Sequence, residues 1–279
     1  MTQASELGVV RPQPSLEIDN TDSAMILPFL LFLVLFDRCS AIGAKFDYFM
    51  LTKIYPTAVC RADDDTVPDS CEIPDGTPSW TMHGLWPNFA NGSYPQFCPA
   101  VPKHFNEDLI KLIEPKLTNF WPNLYPSKSK ASFWKHEYDK HGTCAQSEKN
   151  FDSELKYFQQ AIDLFALFDV DAALSSLPRG SLVTKAEVLQ ALQPLSKSQS
   201  VQIHCLRDKK TSQTLLADVR LCINKDLSPR ACPDRLNNRL PTVSDVLPNF
   251  VPCPGQFVYL PLSPETTFSH PKNLNSISL

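Results

Sequence analysis

Apolar and aromatic residues occur along this chain in short runs that predict a series of β-strands. The clearest run is 46–55 (FDYFMLTKIY), whose aromatic and branched side chains predict a buried strand. In residues 215–224, Val219, Leu221 and Ile223 alternate with more polar neighbours, as expected for a strand with one packed face. The predicted strands cover residues 46–55, 79–85, 201–206, 215–224 and 256–262.

Helical periodicity is found mainly between the first two and the last three strands. The predicted helices cover residues 104–117, 132–141, 150–173 and 184–192. In the first helix, the face predicted to be apolar carries Phe105, Leu109, Leu112 and Ile113. The third is expected to begin at a capping Asn150 or Asp152. In the fourth, Thr184 is followed by a glutamate three residues later, which is the pattern of a capping box.

This order of elements, without a visible linker or internal repeat, predicts one α+β domain over residues 45–262 and a polar tail over 263–279. A hydrophobic content of 43% in 279 residues is sufficient for a sizeable core. The formal net charge of −4 argues against nucleic-acid binding through a broadly basic surface. Any such role would require a local cationic pocket.

The N-terminal residues 1–44 are interpreted as a leader. The apolar run 25–36 has the length of a signal-peptide core and is too short to span a bilayer. Small residues follow it, and cleavage is expected near Gly43 or Ala44. Residues 1–24 are polar and acidic, so Met25 is an alternative start and an uncleaved anchor is an alternative to removal. No stable membrane span is expected once the leader is removed.

The cysteines and one sequon agree with export. Cys39 lies in the leader, and the eight other cysteines form an even set suited to four disulfides in an oxidising compartment. Buried free thiols are the alternative. The chain has no Cys-x-x-Cys pair, which argues against a zinc ribbon. Asn91 begins the sequon Asn-Gly-Ser, which predicts a glycosylated, exposed loop.

Two segments, 82–87 (MHGLWP) and 133–144 (FWKHEYDKHGTC), hold three of the six histidines. In an α-helix, where each residue turns the chain by about 100°, the ionisable residues of the second segment share one face within an arc of about 140°. These residues are His136, Glu137, Lys140 and His141. Aromatic neighbours suggest a partly desolvated setting in which pKa values shift.

Two alternatives remain for this face. The first is an ordinary solvated charged surface. The second is a metal site, but His136 and His141 are five residues apart, whereas the His-x-x-x-His spacing that places two ligands on one face is four. No third ligand is evident either, and no metal or cofactor is expected.

His83 alone would more often be a structural histidine. Gly84, however, permits close approach of another backbone or a substrate, and Trp86 offers an aromatic plane on which a base could stack. A histidine at a strand end, opposite a helix that carries a second histidine, suggests an acid–base pair across a cleft.

The two segments resemble the two active-site segments of the ribonuclease T2 family. The resemblance extends from about residue 46 to 262 and includes 91–95 (NGSYP) and 120–124 (FWPNL). Residues 219–226 (VRLCINKD) look most like the plant branch of secreted or vacuolar acid ribonucleases. The resemblance implies a ribonuclease T2-type α+β fold with a central, largely antiparallel sheet flanked by helices and stapled by disulfides.

The resemblance also implies a mechanism without a metal ion. His141 would act as the base on the ribose 2′-hydroxyl, and His83 would protonate the leaving 5′-oxygen. Glu137 and Lys140 would stabilise the phosphorane, and protonated His136 would bind phosphate. The product would be a 2′,3′-cyclic phosphate, and DNA, which lacks the hydroxyl, would not be cleaved. Binding of single-stranded RNA is assigned to Trp86 and Tyr94.

Further implications concern covalent structure and location. The family pairing gives Cys60–Cys71, Cys98–Cys144, Cys205–Cys253 and Cys222–Cys232. An additional bridge of plant relatives is missing, because Glu72 and Tyr125 occupy the places of both its cysteines. The protein is expected to be a monomer in the extracellular space, a vacuole or another acidic lumen.

Two departures from the family pattern affect the expected specificity. Ile54 replaces a glutamine that helps to hold a base, and Tyr138 replaces a tryptophan. The first departure and the unusual leader motivate an alternative function: a catalytically weak or inactive recognition or storage protein on the same scaffold. The intact set of five ionisable residues favours an active endoribonuclease.

Overall fold

The computed structural model describes residues 43–63, 71–102, 104–197, 199–233 and 250–262. The apolar run 25–36 and the tail 263–279 lie outside these residues, so the leader and tail remain predictions. Within the described ranges, no helix is long and apolar enough to cross a membrane.

The described part of the chain begins with residues that are already hydrogen-bonded to the rest of the domain. The Gly43 amide donates to the Pro99 carbonyl at 2.8 Å, and the Ala44 amide donates to the Cys144 carbonyl at 3.1 Å. Gly43 has a φ of +83°, and a Cβ there would lie 2.4 Å from the Ser147 amide nitrogen. Cleavage before Gly43 would preserve these contacts, whereas cleavage after Ala44 would remove them.

Five strands form the main path of the sheet, which has the order β2-β1-β5-β4-β7, and adjacent strands on this path are antiparallel. The strands are β1 (Tyr48–Ile54), β2 (Thr81–Asn88), β3 (Ser181–Thr184), β4 (Gln202–Arg207), β5 (Thr214–Ile223), β6 (Pro229–Arg230), β7 (Val251–Pro252) and β8 (Gln256–Tyr259). Within the described ranges, one parallel contact occurs, between Leu215 of β5 and Val258 of β8. The expected α+β class with a largely antiparallel sheet is confirmed.

The helices are shorter and less regular than their periodicity predicts. The α-helices are α1 (Pro56–Ala62), α2 (Glu114–Phe120), α3 (Ala131–Glu137), α4 (Thr143–Ala145), α5 (Glu154–Leu167), α6 (Val170–Ala173) and α7 (Lys185–Leu192). Short 3₁₀ helices cover Glu107–Ile113 and Lys149–Phe151. The buried apolar residues of these elements form two clusters. The larger is the main core of the domain, and the smaller contains Tyr48, Met50, Trp86, Cys222 and Cys232.

The apolar face predicted for residues 104–117 is correct only in part. Ile113 is buried and Phe105 is partly buried against the core, as predicted, but Leu109 and Leu112 are 44% and 89% exposed, and Ile110 is buried instead. This segment starts as a 3₁₀ helix, in which residues three apart lie above one another. The α-helical period therefore assigned Leu109 and Leu112 to the wrong side.

The other helix boundaries follow local capping chemistry. Ser153 caps α5, and its side chain accepts a hydrogen bond from the Lys156 amide, so the expected caps at Asn150 and Asp152 are wrong. Helix α5 ends at Leu167, and a separate short helix, α6, begins after its capping residue Asp169. The capping box predicted at Thr184 is confirmed by reciprocal hydrogen bonds with Glu187.

A buried lysine links the sheet to the end of α5. Lys53 Nζ donates hydrogen bonds to the carbonyls of Phe165, at 2.7 Å, and Phe168, and it lies 3.8 Å from the Phe165 ring centre. A cation at a helix C-terminus is favourable because the last carbonyls carry partial negative charge. Burial nevertheless lowers the pKa of Lys53 to about 7. This contact fixes α5 against β1, the strand next to the one that carries His83.

The structure joins the four cysteine pairs that the family resemblance implies. The bonds are Cys60–Cys71, Cys98–Cys144, Cys205–Cys253 and Cys222–Cys232. The Cys98–Cys144 bond ties the loop after β2 to α4, at the last residue of the second histidine segment. It thereby links the two segments that the sequence singles out.

Candidate active site

The second histidine segment leaves the α-helical path at the residues that matter most. Residues Tyr138–Gly142 form a π-helical turn between α3 and α4, and the Thr143 amide donates to the Tyr138 carbonyl five residues earlier. Because this turn is wider than an α-helical turn, some of its carbonyls accept hydrogen bonds from groups other than the usual helix amides. The Thr143 hydroxyl donates to Asp139 at 2.9 Å, and the Phe97 amide donates to Lys140 at 2.9 Å.

The π-helical turn corrects the sequence-based geometry. The prediction of one α-helix over 132–141 holds only to Glu137, so an arc calculated in steps of 100° does not apply to Lys140 and His141. Single π-helical turns are frequently found at functional sites. Here the turn carries His141 into a buried position, with 5% of its surface exposed.

The first histidine is placed by a β-bulge. Thr52 pairs with Gly84 and Lys53 pairs with Met82, so His83 is the extra residue in β2. Met82 belongs to the main core, as does Leu85 three residues later. Strict alternation along a strand would put these two on opposite faces. The bulge absorbs the extra residue and leaves the His83 ring between Trp86 and two rings of the main core, Phe133 and Phe250.

The two imidazoles meet around one indole. The ring centre of His83 lies 4.9 Å from that of Trp86, and the ring centre of His141 lies 5.2 Å from it. His83 is 4% exposed. Tyr94, also predicted to bind substrate, has its ring centre 6.0 Å from that of His141. The structure therefore brings together residues from both segments and from the loop after β2.

Glu137 holds the indole in this position. The Trp86 Nε1–H donates a hydrogen bond of 2.7 Å to Glu137 Oε2, and both residues are buried. Gly84 leaves room for this contact, because a Cβ there would lie 2.1 Å from Trp86 Nε1 and 2.3 Å from Glu137 Oε2. Gly84 does permit close approach, but the groups that approach are these two side chains and not, as expected from the sequence, a backbone or a substrate.

Burial raises the pKa of the glutamate in this site and lowers the pKa of the histidine. It raises the pKa of Glu137 to about 8, against the Trp86 hydrogen bond and the Lys140 charge, both of which lower it. It lowers the pKa of His141 well below 6.5, and the nearby Lys140, His136 and His83 lower it further. At neutral pH the His141 imidazole is therefore uncharged and able to accept a proton.

His83 has a different electrostatic environment. Burial again lowers its pKa from 6.5, but the Asp218 carboxylate opposes this shift, while Arg220 and Lys140 add to it. His83 Nδ1 lies 3.6 Å from Asp218 Oδ2, which is an ion-pair distance rather than a hydrogen bond. Of the two histidines, His83 is thus the one with a carboxylate that favours its protonated form.

Sequence reasoning missed the group behind His83. Asp218 Oδ1 accepts hydrogen bonds from Arg220 Nε at 2.7 Å and lies 3.2 Å from His204 Nδ1. All three residues are buried. The alternation in residues 215–224 marked Arg220 only as a more polar neighbour. The charged pair Asp218 and Arg220, two residues apart on one strand face, was the available signal.

The remaining predicted site residues lie in less enclosed positions or away from the cleft. His136 and Lys140 are half-buried on α3 and the π-helical turn. Asn91 is exposed in a tight turn, as the sequon requires, and its Oδ1 accepts hydrogen bonds from Ser93. Ile54, which stands where relatives carry a glutamine, is fully buried in the main core. It therefore presents no atom to a base.

A metal ion has no evident place in the described ranges, where no group of three or more His, Cys, Asp or Glu side chains is arranged to hold one. Cys98 and Cys144 are joined in a disulfide, as are the other described cysteines. The ionisable side chains of the site contact aromatic rings and one another.

Comparison with known proteins identifies the family. The model of the Ribonuclease T2 family matches residues 46–232. Ribonuclease T2 protein rnst-2 of Caenorhabditis elegans is 55% identical over 231 residues, which cover 78% of this chain and 83% of that protein. Because this relative is an animal protein, the comparisons support the family and not specifically its plant branch.

Solved structures give the same fold. RNase NT in complex with 5′-AMP matches with a TM-score of 0.62 and 26% identity over 78% of this chain and 99% of that one. Human RNase T2 matches with a TM-score of 0.60 and 26% identity over 77% and 98%. The fold, the two histidine segments and the matched relatives agree, and the chain belongs to the ribonuclease T2 family, as an endoribonuclease of that type.

Proposed function

We propose that this enzyme cleaves single-stranded RNA by transesterification, with His141 as the general base and His83 as the general acid and without a metal ion. His141 takes the proton of the ribose 2′-hydroxyl, and the 2′-oxygen attacks phosphorus. The bond from phosphorus to the 5′-oxygen breaks as His83 protonates that oxygen, leaving a 2′,3′-cyclic phosphate. The observation that carries this proposal is the pair of buried imidazoles around Trp86.

The surroundings of the histidines support this division of roles. His141 lies near Lys140 and two other histidines, which all disfavour its charged form and keep it ready to accept a proton. The half-buried Lys140 and His136 provide positive charge for the phosphorane. Glu137, whose pKa is about 8, is neutral in acid and can donate a hydrogen bond to a phosphoryl oxygen as its carboxylate could not.

We assign binding of the RNA bases to the aromatic side chains of the site. Tyr94 is half-buried next to His141, and its ring offers a plane on which a base can stack. Trp86 is more enclosed and hydrogen-bonded to Glu137, so in this proposal it contributes through the part of its ring that faces the histidines. The loss of the family's glutamine at Ile54 predicts a weaker or broader preference for one base.

The disulfides support a proposal for the location, and the reaction chemistry supports one for the substrate. Four disulfides favour an oxidising compartment, and we propose export through the secretory pathway to the extracellular space, a vacuole or another acidic lumen. The enzyme is proposed to act as a monomer on RNA and to leave DNA intact, because the attacking hydroxyl is absent from DNA. Glycosylation is proposed at the exposed Asn91.

Product analysis tests the reaction class. The purified enzyme is incubated with a defined oligoribonucleotide, the same sequence as DNA, and the oligoribonucleotide with chelator present. We expect fragments ending in 2′,3′-cyclic phosphate from RNA in both RNA samples and no cleavage of DNA. Fragments with 5′-phosphate ends, or activity that chelator abolishes, would contradict the proposal. The cleavage positions would also give the base preference.

The rate is expected to depend on pH with a maximum on the acid side of neutrality. His141 must be neutral, so its lowered pKa preserves activity at pH values where an ordinary histidine is already charged. His83 must be protonated, and its pKa is also below 6.5, so activity declines as the pH rises through the pKa of His83. Measuring kcat/KM across the acid and neutral range checks this. A rate that keeps rising into alkali would contradict it.

An inactive recognition or storage role is the alternative. It predicts a folded protein that does not cleave RNA and that binds its partner equally well after both histidines are replaced. The shifted pKa values of Glu137 and His141 favour activity, because burying ionisable groups in this way costs stability that a purely structural role would not require.

A further inference from the structure

We propose that Asp218 is a positioning residue for His83: its carboxylate orients the imidazole so that Nδ1 carries a proton and Nε2 is presented to the leaving 5′-oxygen. This inference rests on the proposed function and adds a residue outside both histidine segments. Asp218 lies in β5 and touches neither substrate nor reacting atoms in this proposal. It acts only through the ring of His83.

The carboxylate oxygen that faces the histidine is Asp218 Oδ2. It lies 3.6 Å from His83 Nδ1 and also accepts a long hydrogen bond of 3.5 Å from Arg220 Nη2, while Oδ1 is engaged by Arg220 Nε and His204. Within the described residues, His83 Nδ1 has no hydrogen-bond partner at normal distance although it is completely buried. Hydrogen bonds of catalytic groups are often long without substrate, and a small rotation of the ring would close this one.

The strand registers explain why Asp218 reaches this place. His204 pairs with Asp218, and the next pair joins Cys205 to Leu216, so Ala217 is an extra residue in β5. A second bulge, at His83, lies in β2. Bulges redirect neighbouring side chains. Two of them, on strands separated only by β1, bring the His83 ring and the Asp218 carboxylate together.

A structural role alone accounts for only part of this arrangement. Arg220 by itself would neutralise Asp218, and the pair is already made at 2.7 Å. The further effect of Arg220 and His204 is to hold the pKa of Asp218 far below its ordinary value, even though burial raises it. Asp218 therefore stays ionised throughout the acid range in which the enzyme is expected to work. A carboxylate that titrated there could not orient His83 reliably.

Other charged groups around His83 act against protonation. Among the described residues, the charged groups that act on this ring are Asp218 and Arg220 of β5 and Lys140 of the π-helical turn. His141 of the same turn interacts with it electrostatically, His204 of β4 contacts Asp218, and Glu137 of α3 contacts Trp86 beside it. The two cations lower the pKa of His83, and Glu137, with its pKa of about 8, is neutral in acid. Asp218 is thus the negative charge that supports a protonated His83.

The substitution Asp218→Asn tests this role in the intact enzyme. An opposite charge at this distance shifts a pKa by about 1–3 units, so the alkaline limb of the kcat profile should move to lower pH by about that amount. The maximal kcat should fall by about 10²-fold or more, since the acid is misoriented, while KM changes little. An unchanged profile with parental kcat would overturn the inference.

Asp208→Asn is the matched control. Asp208 is also buried and accepts a hydrogen bond from an arginine, Arg61, at 3.0 Å, but it lies beyond the end of β4 and outside the site. Its replacement should leave the shape of the pH profile as in the parent. If both variants shift the profile equally, the effect of Asp218 is a general one of losing a buried carboxylate, and the inference fails.

A measurement on the unmodified protein covers the case in which Asp218→Asn does not fold. Nitrogen-15 shifts of the histidine rings report which nitrogen carries the proton, and a His83→Gln variant assigns the His83 signals. We expect neutral His83 to be protonated at Nδ1 and to titrate at higher pH than His141. Protonation at Nε2 instead would overturn the inference. A parent that fails to cleave RNA would refute the proposed function, and this experiment would still decide the Asp218–His83 contact.

Discussion

Replacing either His83 or His141 by alanine is expected to lower kcat for single-stranded RNA by about 10²–10⁴-fold, the usual contribution of a general acid or base. Each imidazole performs one of the two proton transfers, and a buried site admits little water as a substitute. The double variant should be only slightly slower than the single variants, because residues that act as a unit are not additive. Initial rates on a defined oligoribonucleotide measure both effects.

His104→Ala provides the control for these variants. His104 is an exposed histidine of the loop before the first 3₁₀ helix, and its removal should leave the rate unchanged. Thermal unfolding of each variant shows whether the fold is retained. Parental rates for His83→Ala and His141→Ala with a retained fold would show that the reaction uses other groups. If the free-energy costs of the two single replacements added up in the double variant, the two histidines would act independently.

The sequence was sufficient for the parts of the fold that depend on local pattern. The aromatic run at 46–55 became β1, the alternation in 215–224 became β5, and the capping box at Thr184 formed as expected. The two histidine segments were found because ionisable residues are concentrated beside aromatic ones. These features depend only on residues that are close together in the sequence, so the sequence alone is enough to predict them.

The sequence did not show the irregularities that build the site. The π-helical turn at 138–142 depends on donors from elsewhere, the Phe97 amide among them. The bulge at His83 appears only when β2 is paired with β1, because register belongs to two strands at once. The link from Asp218 to His83 spans 135 positions and likewise depends on pairing across β1. Periodicity along one segment cannot contain such information.

Gly84→Ala is expected to be among the most damaging substitutions that add a single methyl group. The new Cβ would lie 2.1 Å from Trp86 Nε1 and 2.3 Å from Glu137 Oε2, so the indole and the carboxyl would have to separate. Loss of a preorganised group that stabilises the transition state typically lowers kcat by about 10²–10³-fold. Overpacking should also reduce the free energy of unfolding by about 1–3 kcal/mol.

Gly255→Ala separates this effect from that of adding a methyl group in general. A Cβ at Gly255 would meet nothing within 4 Å, so both the rate and the free energy of unfolding should stay close to those of the parent. The comparison requires kcat on a defined oligoribonucleotide and urea unfolding of both variants. If Gly84→Ala kept the parental kcat while losing stability, the Trp86–Glu137 hydrogen bond would be a structural contact without a part in the reaction. A large loss of kcat in a folded Gly84→Ala protein would instead show that the position of the indole between the two histidines is needed for cleavage.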